Sequence, residues 1–146
     1  MKRLWALLIF VGVIASVGAE DSPTIHAVEF FEREVMEAAF AKGQRLATSS
    51  NYNVSASRRD TVGKSEIHEN VTDLFYFKSG VATFVTGGEL VDARESKPGE
   101  WRGSAIRGGT SRALTAGDMI IVPKGTCHWF SAIDGVIEYY IVKVIE

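Results

Sequence analysis

At 146 residues the chain is one domain's worth of polypeptide, long enough to bury a core of its own. Its 46% hydrophobic content is ordinary for a globular protein, and no internal repeat or low-complexity tract breaks it up. The formal charge is −2, and nothing basic clusters beyond the Arg58-Arg59 pair, which argues against a nucleic-acid partner.

In chain order, Met1 to Ala19 reads as a cleaved signal peptide. Lys2 and Arg3 form a positive start, Leu4 to Val13 is an apolar run, and Val17-Gly18-Ala19 offers small residues for cleavage. The run is short for a membrane span, and no second one follows it. The mature chain is then expected to be secreted or periplasmic, with no membrane contact after cleavage. Without Lys2 and Arg3 it carries 14 basic against 18 acidic residues. Cys127 is the single cysteine, so no internal disulfide can form.

Residues 20–48 read as an N-terminal helix and linker. Ser22-Pro23 has the pattern of an N-cap followed by proline at the first helical position. Ile25, Val28, Phe31, Val35 and Ala39 recur at helical period, and Gly43 is placed to end the helix. The expected element is one amphipathic helix over Thr24 to Lys42, its apolar face packed on a barrel or on a partner subunit. His26, in its first turn, is expected to be solvated or capping. Gly43 to Tyr52 reads as linker.

Residues 49–146 change to twofold period. Asn53 to Arg59 alternates, with Ser55, Ser57 and Arg59 on one side. Ser65 to His68 is a short strand. Asp73 to Lys78 is an aromatic strand, with Ser79-Gly80 as its turn and Val81 to Val85 as its hairpin partner. Asp92 to Gly109 is rich in glycine and holds Trp101, Arg102 and Arg107; it reads as a long irregular connection, of the kind that forms lids or binding loops or has no role. Thr110 to Leu114 and Met119 to Val122 are strands. His128 to Ala132 is a strand, Asp134-Gly135 a turn of hairpin type, and Val136 to Val144 the last strand. Short strands with Gly and Pro turns imply an all-β sandwich or barrel.

Two stretches carry candidate chemistry. Glu66 to Gly80 reads Glu-x-His, four residues, Asp, six residues, Gly. Gly117 to His128 reads Gly, five residues, Pro-x-Gly, two residues, His. Together they resemble the two halves of the cupin signature, and the resemblance extends from about Val54 to the C-terminus. It implies a jelly-roll barrel that closes its sheet edges and holds a small ligand inside. It also implies a metal set of Glu66, His68, Asp73 and His128. The first position departs from the usual histidine, and Asp73 stands where glutamate is common. Two imidazoles with carboxylates suit non-haem iron(II), and also Mn, Zn or Ni, with affinity order favouring Zn or Cu.

One divalent metal ion is thus the expected cofactor, with Glu66 a fourth ligand or a catalytic base. A second register would turn Asn70 inward in place of Glu66. By parity Glu66 and His68 share a face. Phe75 and Phe77 share the face of Asp73, and Phe130 shares that of His128. Phe75 and Phe130 are expected to wall the pocket and Phe77 to fill core. Tyr76 should face out, and one of Tyr139 and Tyr140 should face in. Arg58 or Arg59 could clamp an anion. Cys127 is expected to be a packed, inert thiol.

The expected function is a metal-dependent cupin enzyme of dioxygenase, isomerase or lyase type, acting on a small polar organic molecule. The alternative is a non-catalytic module that binds a sugar or another small molecule. A homodimer is the expected assembly.

Overall fold

The computed structural model describes residues 27–146. The leader, the Ser22-Pro23 cap and His26 lie outside the described residues. Among the described residues no helix is long and apolar enough to cross a membrane.

The helix α1 runs from Arg33 to Lys42. It starts later than the periodicity suggested. Residues 27–32 are not helical, and Glu32 is the N-cap, with extended backbone and no capping side-chain bond. Gly43 ends the helix in the left-handed conformation, its N–H bonded to the Phe40 carbonyl. Of the described residues of the expected apolar stripe only Ala39 is buried, while Val28 is 98% exposed. The anchor is Phe40, at 1% exposure. It packs edge-on to Tyr140, with ring centroids 4.8 Å apart, and beside Ala56. The Lys78 ammonium lies 4.7 Å from its ring centre. The helix is thereby anchored on the outer face of the sheet through Ala39 and Phe40.

Eleven strands follow. β1 is Gln44–Thr48, β2 Tyr52–Arg59, β3 Ser65–His68, β4 Val71–Thr86 and β5 Glu89–Val91. β6 is Arg94–Lys97, β7 Glu100–Gly103, β8 Ala105–Arg107, β9 Thr110–Leu114, β10 Met119–Val122 and β11 His128–Ile145. Nine of them form one sheet in the order β1-β2-β11-β3-β7-β6, with β4 on β11 and both β9 and β10 on β4. β5 and β8 make a separate ribbon. The sheet is not closed, so the expected sealing of its edges does not occur; β1 and β6 end the path.

Three stretches differ from their sequence reading. Gln44–Thr48, expected as linker, is a strand, because it can pair antiparallel with β2. Asp92 to Gly109 contains β6, β7 and β8; β6 and β7 form a hairpin, and β7 pairs with β3. Neither Ser79-Gly80 nor Asp134-Gly135 is a hairpin turn. Each is a bend inside a long strand, and β4 and β11 pair with each other along their whole lengths.

The pairing register shifts between Asp134 and Glu138, opposite Gly80. Gly80 has φ +84°, and a Cβ there would lie 2.2 Å from the Val136 carbonyl oxygen. Only glycine lets the two strands approach at this point. The bend folds the strand pair over on itself, and Phe75, Phe77, Phe84, Phe130, Ile137 and Tyr139 fill the space enclosed. Phe84 and Phe130 sit 4.7 Å apart between ring centres. Gly80→Ala should cost upwards of about 1–3 kcal/mol through backbone strain alone, with the clash in addition. Urea unfolding measures it, and an unchanged midpoint would show that the bend does not need glycine.

Candidate metal and ligand pocket

Alternation along the strands sends a regular set of side chains to one interior. β3 contributes Glu66 and His68, β4 contributes Val71, Asp73 and Phe75, and β11 contributes His128, Phe130, Tyr139, Ile141 and Lys143. They line a cavity of about 600 Å³. Glu66, His68, Asp73, His128, Phe75 and Phe130 all reach it. Asn70 is exposed in the turn before β4 and does not line it. Phe77 is fully buried core. Tyr139 faces in and Tyr140 faces out against Phe40. Tyr76 is exposed. Arg59 lines the cavity, whereas Arg58 turns away to pair with Asp60 at 3.3 Å.

Both histidines are oriented by a partner on Nδ1. His68 Nδ1–H donates to Glu100 Oε2 at 2.6 Å. His128 Nδ1–H donates to the Thr126 carbonyl at 3.0 Å. These partners fix the tautomer, so both Nε2 lone pairs point into the cavity. Glu66, His68 and His128 each offer a ligand atom within 4.8 Å of one another. Asp73 Oδ2 lies 3.4 Å from His68 Nε2 and 3.4 Å from His128 Nε2. Lone-pair atoms thus converge on one another, an arrangement that a cation, whether a lysine ammonium or a metal ion, would balance. The donor set of two imidazoles and carboxylates fits a divalent transition ion.

Three residues of this centre were not singled out as site residues from the sequence. Glu100 holds His68, and Arg102 pairs with Glu66 Oε2 at 2.7 Å and with Glu100 Oε2 at 3.4 Å. Both come from the hairpin that reads as an irregular loop. The third is Lys143. Its Nζ donates to Asp73 Oδ1 and Oδ2 at 2.8 and 2.9 Å and to His68 Nε2 at 3.1 Å. It lies four residues beyond Tyr139, on the same face of β11, and that parity was the signal available.

These charges set the protonation of the centre. Burial and the Lys143 ammonium hold the His68 pKa below its ordinary 6.5, against the raising effects of Asp73 and Glu66. Glu100 accepts from Nδ1–H in either protonation state, whereas a proton on Nε2 would face the ammonium. Burial pushes the Asp73 pKa up, but the neighbouring His128 ring and the Lys143 ammonium outweigh it, and the net shift is below 3.8. Cys127 is buried, bonds the Gly88 carbonyl, and has its pKa raised by desolvation. It is a packed thiol.

No family model matches the chain, and no curated protein matches it in sequence. Solved structures match by shape. BH2720 from Bacillus halodurans superposes with a TM-score of 0.57 at 14% identity, covering 85% of this chain and 87% of that one. KdgF from Halomonas sp. gives 0.52 at 17% identity, covering 71% and 77%. The FeII form of HppE gives 0.51 at 12% identity, covering 69% and 49%.

The lowered pKa values predict how the metal-free protein responds to acid. The unfolded state takes up a proton at His68 near 6.5 before the folded state does, so stability is full above that pH and falls below it. Asp73 adds a further loss on acidification below 3.8. Thermal midpoints in the presence of a chelator should fall between pH 6.5 and 5, and His68→Gln should flatten that part of the profile. A midpoint that rises on acidification would show His68 to be protonated in the fold.

Proposed function

We propose that this chain, which has the cupin barrel fold, binds one divalent metal ion and acts with it on a small polar organic molecule. The observation that carries this reading is the pair of Nε2 lone pairs, each fixed by an Nδ1 partner and aimed with Glu66 into one cavity. His68, His128 and Glu66 would hold the ion, with Asp73 beside them. Fe, Mn, Zn and Ni all accept such donors. When bound, the ion would supply Lewis-acid polarisation of a substrate oxygen, which serves isomerase and lyase reactions, or, if it is a redox-active ion such as iron, the electron transfer that a dioxygenase reaction needs.

The other roles belong to the chain itself. Glu100 keeps His68 in the ligating tautomer. Arg102 orients the Glu66 carboxylate toward the ion it would hold. Lys143 keeps Asp73 ionised in a place where it is 1% exposed. Phe75 and Phe130 form an apolar wall that limits water near the reacting atoms.

A second reading has its own observation. Lys143 Nζ already donates to the His68 lone pair, so the cavity could serve as a metal-free binding module with the ammonium as its cation. Metal analysis of protein from its native compartment separates the two. About one ion per chain is expected, lost in the His68→Ala/His128→Ala variant. No metal in either sample would overturn the metal reading. Glu100→Ala should weaken metal affinity about 10–100-fold, read by chelator competition. An unchanged affinity would show that the carboxylate does not tune His68.

A further inference from the structure

The metal centre leaves an excess of positive charge in the same cavity. Its lining includes Arg45, Arg59, Lys64, Lys97, Arg102 and Lys143, against the carboxylates Glu66, Asp73 and Glu100. Lys143 pairs with Asp73, and Arg102 with Glu66 and Glu100. Among the described residues Arg45, Arg59, Lys64 and Lys97 make no ion pair with a carboxylate. The chain as a whole is net negative, so this is a local concentration of charge and not a general property of the surface. Cations gathered at a concave mouth raise the local concentration of anions.

Arg59 is the best placed of the four. It is half-buried, and its guanidinium carbon lies 5.3 Å from the Phe130 ring centre. Stacking on the ring holds the planar fork while its donors stay available, the form in which arginine recognises carboxylates. Arg45 sits opposite Ser55 in the β1–β2 pair, next to the same wall.

A second, independent observation comes from that wall. The inward face of β2 presents Asn53, Ser55, Ser57 and Arg59. Asn53 Oδ1 is buried and has no hydrogen-bond partner. Asn53 stands directly across from Lys143 in the β2–β11 register, beside the metal-type centre. That oxygen is closed off from the cavity, although its residue forms part of the wall. The polar row on the open side of the wall is the pair of serine hydroxyls, Ser55 and Ser57, ending at Arg59.

We propose that the ligand of this cavity is a hydroxylated organic acid, its carboxylate held by Arg59 with support from Arg45, and its hydroxyls on Ser55 and Ser57. This deepens the reading of the cavity as a small-molecule site but does not depend on the metal. A neutral polyol would leave the arginines unused. A simple phosphate would leave the serine row unused.

Calorimetric titration of the full chain with gluconate, glucitol and inorganic phosphate tests it. These share a carbon skeleton without the charge, or a charge without the skeleton. Gluconate should bind at least about tenfold more tightly than either of the others. Arg59→Gln should weaken gluconate binding about tenfold or more, with Arg59→Lys retaining part of it. Ser57→Ala should weaken it by a smaller factor. Thermal midpoints and metal content of the Arg59 variants, expected unchanged, show that the site is otherwise intact. Equal binding of glucitol or of phosphate, or no effect of Arg59→Gln, would overturn the proposal. Failure of gluconate to bind a metal-containing wild-type protein would sink the organic-acid proposal and leave the metal reading standing. Gluconate binding that survives in His68→Ala/His128→Ala would support an acid subsite that works without the metal ligands.

Discussion

The site exists because two strands fold over. His128 and Lys143 stand near opposite ends of β11, and a straight strand of that length would part them by about 50 Å. Yet both reach Asp73, at 3.4 and 2.8 Å. The same holds on β4, where Thr86 pairs with His128 and Asp73 with Lys143. The bend at Gly80 and its partner segment near Gly135 closes this distance. Residue order, core and cavity follow from it. The aromatic cluster fills the crease, and the polar residues sit beyond it on the same inward face.

The chemistry of the centre is a problem of balancing charge in a place with little water. Asp73 is almost fully buried and faces two imidazole nitrogens and one ammonium. A carboxylate held there has to be matched. Lys143 matches it in part, and ligand-type atoms of Glu66, His68 and His128 still lie within 4.8 Å of one another. Binding chemistry and fold stability therefore draw on the same groups.

Much of this was legible in the sequence, because alternation is local. Glu66 and His68, Asp73 and Phe75, and His128 and Phe130 share a face in pairs by parity, and the structure sends all six to one cavity. Lys143 follows from the same parity once Tyr139 is known to point inward, a choice that parity alone left open. Glu100 had no comparable signal. Its role depends on the pairing of β7 with β3, which joins residues far apart in the chain, and the glycines around it argue for loop. The helix was misjudged at its start because periodicity marks a possible face, not whether a surface exists beneath it. Val28 has nothing to pack on, while Phe40, off the expected stripe, has Tyr140.

The hairpin of β6 and β7 behaves like a vernier set against β3. His68 lies opposite Glu100, and Glu66 opposite Arg102. On the outer face Trp101 donates to Glu69 at 2.7 Å, which pins the setting from outside. Sliding the hairpin by a single position would exchange the faces of the strand and present an indole to His68 in place of a carboxylate. Loss or gain of one residue near Pro98-Gly99 would thus rewrite the electronic environment of a histidine that the change never touches. The surroundings of His68 thus depend on the length of a peripheral ribbon, with Glu66, His68, Asp73 and His128 themselves unaltered.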